Sequence, residues 1–156
     1  MDNVEIKQAL ESAKTIAMIG VSSIKKVEKE NNIIKRRPSI IVMEYLQEFG
    51  YKVIPVNPNS VGKKIHGETV FASIKDIKES IDIVNVFRPS SETPLIAKDT
   101  ITIGAKVLWL QYGIQNVEAE NIVKSKSIKY ISNKCIKQEY QRLFLKVNPV
   151  FPALKN

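Results

Sequence analysis

Two patterns in the amino-acid sequence predict an α/β fold: a doubly wound parallel sheet of about five strands, flanked by helices in three α/β/α layers. Five short apolar runs, rich in β-branched and aromatic residues, recur along the chain, and segments with helical spacing separate them. Runs that are apolar on both faces suit the strands of a parallel sheet covered by helices. The 156 residues, 44% hydrophobic and 26% charged, suffice for one core, so a single domain over residues 1–156 is expected.

The strand expectations are TIAMIG (15–20), YKVIPVN (51–57), DIVNVF (82–87), KVLWLQ (106–111) and IKYIS (128–132). Between the first two lies PSIIVMEYLQEFG, which reads as a helix. Pro38 sits in its first turn, Val42, Leu46 and Phe49 recur at helical spacing, and Gly50 serves as a left-handed cap. Ser73 with Asp76 three residues on predicts the start of another short helix. Residues 93–103 and 117–125 predict two more, and further helices are expected at both ends of the chain. With right-handed crossovers the preferred strand order is 3-2-1-4-5, and ligands are then expected beyond the carboxyl ends of the strands where the winding reverses.

Composition narrows the classes. Apolar runs fall short of the roughly 18 residues of a membrane span, and the start, MDNVEIKQALESAK, has acids early and no apolar signal core. Cys135 is the single cysteine and has no intrachain disulfide partner, so a cytoplasmic protein with no membrane partner is expected. The net charge of +8 is localised: residues 25–37 hold six basic and two acidic side chains, and residues 124–156 hold eight and one. A local cationic segment suits a polyanionic ligand.

The turns after the first four runs carry the candidate chemistry: Gly20-Val21-Ser22-Ser23, Asn57-Pro58-Asn59, Phe87-Arg88-Pro89-Ser90 and Gln111-Tyr112-Gly113. Gly20 permits a sharp turn and close approach of a ligand, and Ser22 and Ser23 offer hydroxyl and amide donors to a phosphate. The helix starting near Pro38 and Ser39 aims unsatisfied N–H groups at the same place. An anion is the expected guest. A dinucleotide of the NAD type is not, because no glycine follows Gly20 until Gly50 and the second strand ends Val56-Asn57-Pro58 without an acid for the ribose hydroxyls. Gly62-Lys63-Lys64 lacks the upstream glycine and the Ser/Thr of a P-loop.

The series GVSS, RPS, GYKVIPVNPN, GKKIHGE, DIVNVFRPS, GAKVLWLQYGI and NKCIKQEYQRL resembles the small stand-alone CoA-binding proteins, similar in fold to the CoA-binding domain of the succinyl-CoA synthetase α-subunit. The likeness runs from about residue 13 to residue 143, in order and with similar spacing. It implies a Rossmann-like domain holding coenzyme A or an acyl-CoA as its cofactor. Carried over, Gly20, Val21 and Ser22 would wrap the pyrophosphate, with Pro38 and Ser39 facing them. Val56, Asn57 and Pro58 would border the adenosine, Phe87, Arg88 and Pro89 would line the path toward the pantetheine, and Gln111 and Gly113 would close the fourth turn. The segment IKKVEKENNIIKR is longer and more charged than the linker expected in the family.

CoA carries a pyrophosphate and a 3′-phosphate, so cationic partners are expected among Lys25, Lys26, Lys35, Arg36, Arg37, Lys63 and Lys64, with a preference for CoA over dephospho-CoA. No catalytic set stands out. His66, the single histidine, has no second ligand nearby in sequence and reads as surface or turn, and the phosphohistidine domain of the synthetase is not part of this length of chain. Cys135 is a candidate contact for the pantetheine thiol, flanked by Lys134 and Lys137, which favour a thiolate; Trp109 is assigned to the core. The expected function is therefore binding of CoA without catalysis, as a carrier, sensor or regulatory module. Two alternatives stay open: a CoA-dependent enzyme completed by a protein partner, and binding of nucleic acid through the basic tail. The second lacks aromatic residues interleaved with the basic ones, so nucleic acid is not the expected partner.

Overall fold

A computed structural model describes residues 3–22, 26–28, 33–35 and 38–145, with only the backbone of 26–28 and 33–35. In chain order the elements are α1 (Asn3–Ser12), β1 (Thr15–Ile19), β2 (Lys26–Glu28), β3 (Ile33–Lys35), α2 (Pro38–Glu48), β4 (Lys52–Val56), β5 (Lys64–Ile65), β6 (Glu68–Thr69), β7 (Ile83–Val86), α3 (Thr93–Thr102), β8 (Val107–Leu110), α4 (Val117–Lys124), β9 (Lys129–Ile131) and α5 (Ile136–Tyr140). Five parallel strands form the sheet in the order β4-β1-β7-β8-β9. β2–β3 and β5–β6 are small antiparallel hairpins.

All five sequence-predicted strands are therefore present, but their spatial order is 2-1-3-4-5 and corrects the expected 3-2-1-4-5. The reason lies just after β4. Phe71 forms a parallel bridge with Val56, donates its N–H to the Pro55 carbonyl (3.1 Å) and accepts from the Asn57 N–H (2.9 Å). The carboxyl end of the outer edge of β4 is thus taken by Phe71, and the next strand pairs with the other side of β1. Pro55 lacks an N–H and is tolerated because β4 lies at that edge. The winding consequently reverses between β1 and β7, the switch point of this strand order.

Alternation along the strands feeds two cores. Ile16, Met18, Ile83, Val107, Trp109 and Ile131 pack against α1, α2 and α5. Ala17, Ile54, Val84, Val86, Leu108 and Leu110 pack against α3, α4 and the short 3-10 turn Ile74–Asp76. Trp109 is fully buried and donates its Nε1–H to the Lys134 carbonyl (2.8 Å). Ser73 does cap its segment, accepting from the Lys75 N–H, but only one 3-10 turn follows. Gly50 has the left-handed φ of +97° expected of a cap. Phe49 does not enter the core with Val42 and Leu46; it remains 39% exposed and joins an aromatic cluster with Tyr45 and Tyr140. Among the described residues no helix is long and apolar enough to cross a membrane.

The amino edge of the sheet is tied by Asp82. Its carboxylate accepts the N–H groups of Lys14 (2.8 Å) and Thr15 (3.0 Å), its own N–H donates to the Thr15 carbonyl, and its carbonyl accepts from Lys106 and Val107. Burial pushes the carboxyl pKa up, but the two amides and Lys106 outweigh it and hold it below the ordinary value. The native state thus favours the carboxylate, so its stabilisation is present above the unfolded value of about pH 4 and fades as pH falls through the lower native value. Asp82→Asn should cost about 1–2 kcal/mol at pH 7 in urea denaturation, with the gap to the unaltered protein narrowing below about pH 4. A gap independent of pH would show that charge contributes nothing at this joint.

Candidate functional site

At the carboxyl edge, the turns after β1 and β7 touch. Gly20 has φ +95°, and a Cβ placed on it would lie 2.6 Å from the Phe87 carbonyl oxygen and 3.2 Å from Arg88 Cδ. Neither the dihedral nor the space admits a side chain. The contact is locked on both sides, since the Gly20 N–H donates to the Val56 carbonyl (2.9 Å) and the Phe87 N–H donates to the Ile19 carbonyl (2.8 Å).

Asn57 joins the first two turns. Its Nδ2 donates to the Val21 carbonyl (2.9 Å), while its Oδ1 accepts the Asn59 N–H (2.9 Å) and caps the 3-10 turn Pro58–Ser60. Val21 is fully buried, and the Ser22 N–H donates to Ser39 Oγ (3.3 Å) at the start of α2. Pro38 is the exposed first residue of that helix. The glycine turn therefore lies between the beginning of α2 on one face of the sheet and an open cleft on the other.

That cleft, of about 280 Å³, has apolar walls from Ile19, Val56, Ile74 and Ile96, and a polar rim that includes Asn57, Ser73, Arg88, Glu92 and Asp99. Its volume suits one end of an extended ligand rather than the whole of it. A wider hollow of about 970 Å³, lined by residues such as Gln8, Ile101 and Lys129, lies at the amino edge, away from these turns. Arg88 meets Glu92 in a two-point pair, Nε to Oε1 at 3.1 Å and Nη2 to Oε2 at 2.7 Å, and the hydrogen bond to Glu92 pushes the guanidinium pKa above its usual value. Asp99 is 3.7 Å from the Lys75 ammonium.

Of the sequence-derived candidates, Gly20, Val56, Asn57, Pro58 and Arg88 line the cleft. Phe87 is half-buried against the core on the α2 side, and Pro89 leads into the 3-10 turn Ser90–Glu92. Gln111 is 3% exposed and committed on both ends of its amide: Nε2 donates to Asn85 Oδ1 and Oε1 accepts the Ile136 N–H (3.2 Å). Gly113 donates its N–H to Asn133 Oδ1 (2.7 Å). These two bind the fourth and fifth turns together behind the cleft. Lys63 lies in the loop before β5, exchanging backbone bonds with Ser60 and Val70, and does not line the cleft. Arg37, Ser23, Lys25 and Arg36 fall outside the described residues, as do the side chains of Lys26 and Lys35.

Cys135 is half-buried at the start of α5, and the Lys137 ammonium sits 5.4 Å from the Tyr45 ring centroid. His66 occupies the turn between β5 and β6 with φ +48°, 3.5 Å from a Glu44 carboxylate oxygen. Sequence reasoning missed Glu92, Asp99, Ser73 and the isoleucines of the cleft wall. Glu92 had a usable signal, its four-residue spacing from Arg88. Ile74 and Asp99 had none, because Ile74 reaches the cleft only through the crossover from β4 to β7, and Asp99 only through the placement of α3 after β7.

The sequence model of the CoA binding domain matches residues 14–141. The chain belongs to the CoA-binding domain family. It is 37% identical over 133 residues to the uncharacterized protein YneT of Bacillus subtilis (strain 168), covering 85% of this chain and 90% of that protein. Among solved structures, the cell-free ID.343 protein of Thermus thermophilus superposes with a TM-score of 0.80 at 35% identity, over 92% of this chain and all (100%) of that one. A hypothetical protein from Pyrococcus horikoshii OT3 gives a TM-score of 0.79 at 32% identity, over 92% of each chain. The CoA-binding domain thus has the five-stranded α/β architecture of its neighbours.

In this CoA-binding domain the Gly20 contact is a point of high sensitivity. Gly20→Ala should lower stability by about 2–3 kcal/mol in chemical denaturation, from the strained dihedral and the displaced Phe87 carbonyl. Stability equal to the unaltered protein would mean that the two turns are not held in contact.

Proposed function

We propose that the chain binds coenzyme A or an acyl-CoA across the carboxyl edge of its sheet and acts as a carrier, sensor or regulatory module without catalysis of its own. The observation that carries this reading is the convergence, at one switch point, of the Gly20 turn, the start of α2 and the cleft of about 280 Å³. In this reading the pyrophosphate lies along Gly20, Val21 and Ser22, facing Pro38 and Ser39. The adenosine end enters the cleft between Val56, Asn57, Pro58 and Ile96. Phe87, Arg88 and Pro89 border the way out for the pantetheine arm, with Cys135 as the candidate thiol contact.

Gln111 and Gly113 serve this site as braces that hold the later turns in place. The 3′-phosphate finds its cations in the basic segment of residues 25–37. In this reading His66, on its hairpin beside Glu44 and outside the cleft lining, takes no part.

Calorimetry at fixed ionic strength with CoA, dephospho-CoA, NAD and ATP tests the reading. CoA should bind most tightly, about tenfold better than dephospho-CoA, the effect of one well-made charged contact to the 3′-phosphate. Equal affinity for the two would remove the basic segment from the site. No binding of either would overturn the function.

A further inference from the structure

We propose that Glu92 governs how strongly the cleft attracts anions, by holding Arg88 in the ligand-free protein and releasing it to a phosphate-bearing ligand. The inference rests on the reading of the cleft as the CoA site. Among the described residues that line the cleft, Arg88 is the one cation, and Glu92 and Asp99 are two carboxylates. The described lining is therefore net negative beside the Gly20 turn, where the pyrophosphate is proposed to lie, and that sign opposes the approach of phosphates.

The geometry of Arg88 resolves it. Its stem passes the Gly20 turn, with Cδ 3.2 Å from the position of an added Cβ, so the side chain starts where the turn and the cleft meet. Its head is then fixed by the two hydrogen bonds to Glu92, one helical turn along the chain. Two of the five guanidinium N–H groups are engaged, and the others remain for a ligand oxygen. The pyrophosphate, proposed to lie along the Gly20 turn that the Arg88 stem passes before the pantetheine arm leaves, docks on those donors close to the Glu92 carboxylate and meets its repulsion.

The pair is exchangeable, because both partners are about half exposed, at 46% and 45%, and exposed ion pairs are weakly held. A ligand with several phosphate charges can therefore draw Arg88 away from Glu92, while a weakly charged or neutral one gains nothing by doing so. Glu92 thereby lowers the affinity for any anion that draws on Arg88. It is a positioning residue that acts through Arg88.

Calorimetry with CoA as the probe, on the unaltered protein, Glu92→Gln, Arg88→Gln and the double variant, tests this. Glu92→Gln should bind CoA about threefold more tightly, within the range of an exposed ion pair. Arg88→Gln should bind it less tightly, and adding Glu92→Gln to Arg88→Gln should recover clearly less than that gain. Glu92→Ala should give the same direction as Glu92→Gln and replaces it if that variant misfolds. An equal gain in both backgrounds would make Glu92 a bare charge and overturn the proposal. Unchanged or weakened binding by Glu92→Gln would also overturn it, the latter by making Glu92 a support that aims Arg88 at the ligand. An unaltered protein that fails to bind CoA would remove the underlying function and the proposal together, whereas normal CoA binding with any of the contrary variant results removes the proposal alone.

Discussion

The contact between Gly20 and the Phe87 carbonyl is the constraint on which the site depends. It exists because β1 and β7 are neighbours, and they are neighbours because the chain after β4 lays Phe71 along that strand and closes its outer edge. The crossover must then travel over β1, and the turns leaving β1 and β7 diverge toward opposite faces of the sheet. Only at their base do they meet, at a distance that hydrogen can occupy and a methyl group cannot. One edge pairing, at the strand that supplies Val56 to the cleft, therefore both opens the cleft and fixes the glycine beside it.

Buried amides keep this arrangement in register. Asn57 ties the second turn to the first, and Gln111 ties the third strand to the start of α5. Gln111 is matched at both ends of its amide, whereas its partner Asn85 accepts through Oδ1 and leaves its buried Nδ2 without a partner among the described residues. The cleft is thus framed by side chains whose polar atoms are largely used within the protein. The proposed binding mode therefore assigns ligand contacts to backbone amides, apolar walls and Arg88. The described lining is slightly acidic, with Arg88 against Glu92 and Asp99.

The five strands were legible because buried parallel strands leave continuous β-branched runs, and α2 was legible from Pro38, its helical spacing and Gly50. Strand order was not, since it turns on the edge pairing of Phe71, a residue with no local sequence pattern to mark it. The glycine turn could be read because a single glycine at the end of an apolar run has few other uses. Gln111 was read as part of a binding turn, although burial and two internal hydrogen bonds make it a brace; polar residues at strand ends look alike in sequence whether they face a ligand or a neighbour. Lys63 was credited by charge alone, and the backbone takes it into the hairpin loop, outside the cleft. Glu92 is legible only as the i+4 partner of Arg88, and Asp99 is not legible at all, since only the placement of α3 brings it to the cleft.

The most direct measurement is a crystal structure of the protein with coenzyme A. The diphosphate should lie against residues 20–22 and the start of α2, with the adenine end between Val56 and Ile96. Density for the ligand elsewhere, or a cleft left open in crystals whose protein binds the coenzyme in solution, would contradict this placement.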